Sequence, residues 1–295
     1  MNPSLPAPAK INLHLHVRAI LDNGMHELDT SFVYTEACDR LTFSAAHDLQ
    51  VSCSRSHLGG EHNLVYRVLH EFKQHCSVHS GLAVHIEKNL PEQSGLGGGS
   101  SDAATALLYA NDFWQCRLSR EQLIEFATPF GADIPCFLYG RASLASGVGD
   151  KLVDYPGALP DGTLLMAWPG SGLSTADVFS HFDEHFGSRL LAQGHRTLTH
   201  SGGVDTMRRD STRVGQNDLE ASACSLNQRV GTLLQFLRNH SDQAWMSGSG
   251  STCVALLCSK QKADALALRL KSDGLASWTH TGKLLRMHPV QLGVG

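Results

Sequence analysis

From Lys10 the chain alternates polar and apolar residues without a break: Ile11, Leu13, Leu15 and Val17 fall on one face, and Lys10, Asn12, His14 and His16 on the other. A period of two sustained this long predicts a strand with one polar face. Shorter strand-like runs follow at 30–34, 40–44, 49–53 and 82–87. Between the last two, Leu64, Val65, Val68, Leu69 and Phe72 recur at helical spacing behind Asn63, a residue type that caps helix N-termini. An alanine- and leucine-rich run from Ser100 through Trp114 predicts a buried helix, and Ser119 with Gln122, flanked by Leu118 and Leu123, predicts a capped second one. Strands are expected at 142–146 and 164–168 on either side of a turn-forming segment at 156–162, which divides the chain into units 1–155 and 156–295. Further along, the pattern predicts helices at 217–224, 227–240 and 260–272 and strands at 244–246, 253–257 and 277–284. Residues 187–215 are polar and turn-rich with no sustained apolar period, the pattern of a long, poorly ordered surface insertion. Strands and helices mix without strict βαβ alternation, which favours an α+β fold over a doubly wound sheet.

Charge narrows the classes of function. With 24 Lys plus Arg against 28 Asp plus Glu, the net charge of -4 offers neither a basic field for nucleic acid nor a polybasic membrane anchor. Apolar runs are strand-sized, far short of the roughly 18 residues of a membrane span, and Pro3, Pro6 and Pro8 interrupt any signal helix. A cytoplasmic protein is expected, a monomer or weak homodimer. The eight cysteines are scattered with no C-x-x-C pair, so free thiols are favoured over a zinc site or disulfide framework. The 17 histidines are dispersed as well, and His14 with His16 reads as a strand pair rather than a pair of metal ligands.

Candidate chemistry concentrates where a strand gives way to the alanine-rich helix. There Pro91, Glu92, Gln93, Ser94, Gly95, Leu96, Gly97, Gly98, Gly99, Ser100, Ser101 and Asp102 form a glycine-rich loop. Glycines permit positive φ and close backbone approach, and a helix start adds unpaired N–H donors with a partial positive charge. Together they make an anion site suited to nucleotide phosphates. It is not a Walker A loop, because Ser100 rather than lysine follows the last glycine, nor a dinucleotide fingerprint, which requires glycine at that position. A second small-residue loop, 246–252, reads equally well as a hairpin turn or as hydroxyls lining an anion site. Asp133, between Gly131 and Pro135, fits a helix N-cap on its own, and Lys10 a solvated strand end.

Taken together, the segments 8–13, 95–104 and 246–251 resemble, in order, the three motifs of the GHMP small-molecule kinases. Segments 23–28, 131–135 and 145–150 are similar to the signatures of one branch of that family. The resemblance implies a two-domain α+β fold: an N-terminal half with a left-handed βαβ crossover, a ferredoxin-like C-terminal half, and the active site in the cleft between them. It implies ATP as donor, accompanied by Mg2+ whose ligands the sequence leaves unassigned, and a small-molecule acceptor. That acceptor would be the 2-hydroxyl of a cytidylylated methylerythritol in the non-mevalonate route to isoprenoids. Carried onto this chain, the likeness makes Asp133 the group that accepts or orients the hydroxyl proton, with Lys10 beside it to meet a γ-phosphate oxygen. Residues 91–101 would cover the ATP phosphates, with Asn63 and Leu64 near adenine. Asn12 and His26 would bond the cytidine diphosphate end and Phe179 would stack on cytosine. Met25 stands where relatives usually carry tyrosine, and Gln93 where small residues are common. Two other readings remain open at this level: a kinase of the same family for a different alcohol, and a catalytically silent binder of nucleotide or sugar.

Overall fold

The computed structural model describes residues 2–192 and 214–290. In chain order the first half supplies β1 (Ser4–Ile20), β2 (His26–Ala46), β3 (Gln50–Cys53), α1 (Leu64–His75), β4 (Gly81–Glu87), α2 (Gly98–Phe113), α3 (Arg120–Ala127), α4 (Ile134–Tyr139), β5 (Ser143–Ser146) and β6 (Lys151–Asp154). The second half supplies β7 (Thr163–Trp168), α5 (Thr175–Ala192), β8 (Gln216–Asn217), α6 (Glu220–Leu226), α7 (Gln228–Arg238), β9 (Gln243–Met246), β10 (Cys253–Leu257), α8 (Lys260–Ser272), β11 (Trp278–Gly282) and β12 (Leu284–Leu285).

These strands form two sheets. The larger runs β3-β4-β2-β1-β8, with β5 and β12 paired to β2 and β6 paired to β5. Its β3 and β4 are parallel, with α1 crossing between them. The smaller sheet runs β11-β7-β10-β9 with every pairing antiparallel, the ferredoxin-like order. Its central strands, β7 and β10, are apolar at consecutive positions because both faces are buried. Along β7, Leu165 and Ala167 pack with Val178 of α5 and Leu233 of α7. Leu164 and Met166 turn the other way, onto Ile11 and Leu13 of β1 and Trp245 of β9. The sheets thus meet face to face, α1 to α4 cover the outer face of the larger one, and α5 to α8 that of the smaller. The α+β class expected from the sequence holds. Among the described residues no helix is long and apolar enough to cross a membrane.

Several boundaries differ from expectation. Strand β1 begins before Lys10 and takes in Pro6 and Pro8, which is tolerated because its second neighbour, β8, pairs only at His14 and Leu15. The runs at 30–34 and 40–44 are one strand of 21 residues, since Thr35, Glu36 and Ala37 bulge opposite the single Ala9 and break the alternation without ending the pairing. Asn217 does not start a helix. It pairs with β1, and its amide donates to the carbonyls of Met246 and Gly248, so α6 begins later. Helix α5 continues through Ala192, into the segment expected to be irregular, and 193–213 of that segment lie outside the described residues.

Candidate active site

A cleft of about 930 Å³ opens beside the middle of β1, floored by Lys10, Asn12 and Thr30 and walled by the glycine-rich loop, Asp133 and α5. Lys10 is not the solvated strand end its alternation suggests, for it is only 3% exposed. Its ammonium donates to Asn12 Oδ1 at 2.9 Å, lies 3.5 Å from Asp133 Oδ2, and sits 5.3 Å from the centre of the Phe32 ring. Asp133 occupies the N-cap position of α4 but makes no side-chain cap bond there, so its carboxylate is left to face Lys10. The N-cap reading of that residue is corrected accordingly.

The glycine-rich loop enters the cleft through a tightly constrained backbone. Gly95 has φ +76, and a Cβ on it would lie 2.3 Å from the Ser247 carbonyl oxygen, so only glycine fits. Gly97, at φ +69, is the N-cap of α2 and offers no capping side chain. The helix therefore presents its first N–H groups with no acidic residue in the first turn, a site for anionic oxygen. Gly98 and Gly99 belong to the helix rather than to the loop before it. The 246–252 loop turns between β9 and β10 and is tied to the glycine-rich loop: Thr252 N donates to Ser94 O at 3.0 Å, and Ser247 Oγ to Gly95 O at 3.3 Å. It is the hairpin turn of the first reading, and its Gly248 and Ser249 also line the cleft.

Pro91, Glu92, Gln93, Ser94, Gly95, Gly97, Gly98, Gly99 and Ser100 line the cleft together with Asn63, Leu64, Asn12, Met25, His26 and Phe179. Leu96 and Ser101 do not. Leu96 is core and contributes its carbonyl to Lys10 N at 3.0 Å, while Ser101 is buried inside α2. Asn63 does cap α1, accepting from Val65 N at 2.8 Å while its Nδ2 donates to Leu58 O, so its amide is committed to the fold. Phe179 packs on the core between the smaller sheet and its helices and also stands 4.4 Å, centre to centre, from the His26 ring. Met25 is 46% exposed at the cleft's edge.

Some cleft groups carry no local sequence signal. Lys88 is buried between Asp39 and Asp102, its Nζ 2.8 Å from Asp102 Oδ2 and also bonded to Asp39. Burial pushes the Asp102 carboxyl up to about 7 despite Lys88, and Asp39 pushes it the same way. Burial alone would lower Lys88, but the charges of Asp102 and Asp39 outweigh it and raise the ammonium. Glu92, where burial is outweighed by hydrogen bonds from His57 and Arg55, is held low. On the opposite wall Asp183 Oδ1 lies 2.8 Å from His26 Nε2. A lysine after a strand and an aspartate within a helix look ordinary in sequence, and only the fold brings them together.

Comparisons with known proteins bear on the family and the fold. Residues 63–141 match the profile of the GHMP kinases N terminal domain and residues 197–275 that of the GHMP kinases C terminal domain. A 4-diphosphocytidyl-2-C-methyl-D-erythritol kinase from Alcanivorax borkumensis is 35% identical over 92% of this chain and 87% of its own length. The enzyme of that name from Dechloromonas aromatica is 32% identical over 97% and 98%. A crystal structure of a 4-(cytidine 5'-diphospho)-2C-methyl-D-erythritol kinase superposes with a TM-score of 0.75 at 29% identity, covering 96% of this chain and 99% of that one. A mevalonate kinase from L. major, solved with R-mevalonate, shares the fold at 18% identity, with a TM-score of 0.67 over 97% and 98% of the two chains.

Proposed function

The chain belongs to the GHMP kinases, to their 4-diphosphocytidyl-2-C-methyl-D-erythritol kinase branch, and from that premise we propose how its cleft works. It is an ATP-dependent kinase that phosphorylates the 2-hydroxyl of 4-diphosphocytidyl-2-C-methyl-D-erythritol in the non-mevalonate route to isoprenoids. The observation that carries our assignment of roles is the approach of Lys10 and Asp133 to 3.5 Å inside the cleft that also receives the uncapped start of α2. Phosphoryl transfer makes little covalent demand on the protein; it needs in-line alignment and neutralisation of charge on the moving group. Asp133 accepts or orients the acceptor's hydroxyl proton, and the Lys10 ammonium meets the γ-phosphoryl oxygens. The N–H groups at the start of α2, beside residues 91–100, hold the phosphates, and Leu64 with Asn63, the cap of α1, lies on the adenine side. Asn12, Met25, His26 and Phe179 form the cytidine end, with the His26 ring held by Asp183. We assign the boundary between the two domains to 155/156.

Mg2+ binds largely through phosphate oxygens and water and needs only one or two protein oxygens. Residues that fit it are present: Ser100 lines the cleft at the first turn of α2, and Asp102 Oδ1, at the same cleft, is buried without a hydrogen-bond partner. The ion would supply neutralisation of phosphate charge. Among the described residues no cluster of three or more histidine, cysteine or acidic groups forms a cage for a metal. All eight cysteines are unpaired, which supports a reducing compartment, the cytoplasm, as its location.

The test is turnover of ATP with 4-diphosphocytidyl-2-C-methyl-D-erythritol, homoserine, mevalonate and the uncytidylylated methylerythritol phosphate, read by ADP release and by 31P NMR of the product. Stoichiometric ADP and a new phosphomonoester only with the cytidylylated acceptor are expected. Equal turnover of a cytosine-free alcohol would overturn the acceptor assignment.

A further inference from the structure

Beneath the reacting pair lies a chain of hydrogen bonds whose direction is fixed at both ends. Thr30 Oγ1 lies 2.6 Å from the carbonyl oxygen of His14, which can only accept, so the single hydroxyl proton of Thr30 is directed there. The same oxygen must then accept from its other partner, the Asn12 side chain, at 2.8 Å. That places Asn12 Nδ2 toward Thr30 and leaves Oδ1 toward Lys10 Nζ, at 2.9 Å. An ammonium can only donate, so the two ends of the chain require the same orientation of the amide. The network is shielded from water, since Lys10, Asn12 and Thr30 are 3%, 2% and 1% exposed. The fold supports it from below: His14 is hydrogen-bonded to Ser31 at 3.1 Å and lies 3.2 Å from Asp29, while Asn12 O accepts from Trp245 Nε1 at 2.8 Å.

We propose that Thr30 is a positioning residue for phosphoryl transfer: its hydroxyl locks the Asn12 amide in the one orientation that presents an acceptor to Lys10 and so aims the ammonium at the reacting centre. This rests on the role assigned to Lys10 above. Without the hydroxyl, Asn12 Nδ2 is buried with no acceptor, an arrangement unfavourable enough to turn the amide or move it. Either change removes the Lys10 anchor or sets N–H donors against an ammonium. The adenine side and the N–H groups at the start of α2 lie elsewhere in the cleft and stay intact, so most of the hold on ATP is kept and only the aim of Lys10 at the γ-phosphoryl group is lost. The consequence therefore falls on kcat rather than on the ATP constant.

Five forms test this: the wild type, Thr30→Val, Thr30→Ser, Asn12→Asp, and Thr30→Val paired with Asn12→Asp, the last measured against Asn12→Asp alone. A carboxylate presents oxygen either way round, so residue 12 then has no orientation left to lock. Expected are a fall in kcat of about 10- to 100-fold for Thr30→Val with KM for ATP within about twofold, the range of a lost positioned contact, and near-wild-type kcat for Thr30→Ser. In the Asn12→Asp background Thr30→Val should change kcat by less than about threefold. The side-chain amide protons of Asn12, followed by 15N NMR, should exchange faster in Thr30→Val than in the wild type or Thr30→Ser. Should Thr30→Val not fold, Thr30→Ala replaces it in both backgrounds. Wild-type-like kcat in Thr30→Val or Thr30→Ala, equal losses in valine and serine variants, or an undiminished effect in the Asn12→Asp background would each overturn the proposal. A wild type that turns over no ATP with the cytidylylated acceptor would instead overturn the functional reading on which it rests.

Discussion

At the scale of single residues, the reacting centre we propose reduces to one carboxylate and one ammonium, and the two are placed differently. Lys10 is buried in a sheet, whereas the Asp133 side chain is 35% exposed to the cleft and free of any capping bond. Asp133→Asn keeps the volume and removes the proton acceptor. We expect turnover to fall by roughly 10²- to 10⁴-fold, the usual range for a positioned acid or base, with ATP affinity nearly unchanged. Retention of more than half of wild-type turnover would show that Asp133 is not the acceptor. A loss smaller than that range would suit orientation of the hydroxyl, because a loose transition state asks little for early proton removal. At the cytidine end, the thioether of Met25 can cover a base but lacks the flat area of a phenol ring, and aromatic pairs contribute roughly 0.5 to 1.5 kcal/mol beyond burial. Since Met25 is well exposed at the cleft edge, a larger side chain fits without repacking. Met25→Tyr should lower the acceptor KM by roughly 2- to 10-fold, the factor that energy implies, and leave the ATP constant alone. Phe179→Ala should raise the same KM by at least as much, with some loss of stability because the ring also packs on the core between the smaller sheet and its helices. Equal changes with a cytosine-free alcohol would mean that neither side chain touches the base.

The elements decide which glycine can be changed without disturbing the fold. A side chain added at Gly98 would press on Asp39, Leu90 and Lys88, each 3.4 Å away, and disturb the ion cluster behind the loop. At Gly99 it would meet nothing within 4 Å and project into open space over the helix start. Gly99→Val is therefore the substitution that isolates phosphate binding. ATP affinity should fall at least about 10-fold, as expected when backbone donors are screened from phosphate, while the melting temperature without ligand moves only slightly. Isothermal titration calorimetry and thermal melts read the two quantities, and unaltered affinity would remove the α2 start from the phosphate site. Gly95→Ala should do the reverse and destabilise the fold, since its Cβ clashes with Ser247 O. Much of this scale was legible in the sequence because it is local: the strict alternation of 10–17, the glycine run before an alanine-rich stretch, and the Ser119–Gln122 capping box, which forms as expected. What was not legible is non-local. The bulge at 35–37 hides a single long strand as two short ones, and Asn217 carries a capping residue's signature while serving as a strand end held by the carbonyls of Met246 and Gly248. The Asp39–Lys88–Asp102 cluster draws on β2, the end of β4 and α2, so no sequence period marks it. Asp133 looked like a cap because residue type and helix position agree; the structure differs in where the carboxylate points.

For the whole molecule, the end of the described chain returns to the first half and holds it. Strand β12 pairs with Tyr34 and Thr35 of β2, Ala142 N donates to Arg286 O at 2.7 Å, and His288 N donates to Gly140 O at 2.9 Å. His288 is 1% exposed and packs edge-on against the rings of Tyr34 and Phe137, with centres 5.4 Å and 6.3 Å away. Burial drives its imidazole down to about 4, the nearby charge of Arg120 acts in the same direction, and the bond with Val290 opposes them in part. The sign of the consequence follows directly. Between the ordinary value of 6.5 and about 4 the unfolded chain binds a proton at this residue and the folded chain does not, so unfolding takes up protons and stability falls as the pH falls through that window. Above 6.5 both states are neutral here and the contribution is constant. The full effect is on the order of 3 kcal/mol, from 1.36 kcal/mol per unit of displacement. Replacing His288 by phenylalanine keeps an aromatic ring against Tyr34 and removes the proton site. Urea melts of both proteins from pH 7.5 to 4.5 should show the wild type losing stability relative to His288→Phe as the pH drops. A difference that stays constant with pH would show that His288 is charged, or equally hydrated, in the folded state, and would take proton uptake out of the clasp between the chain's end and β2.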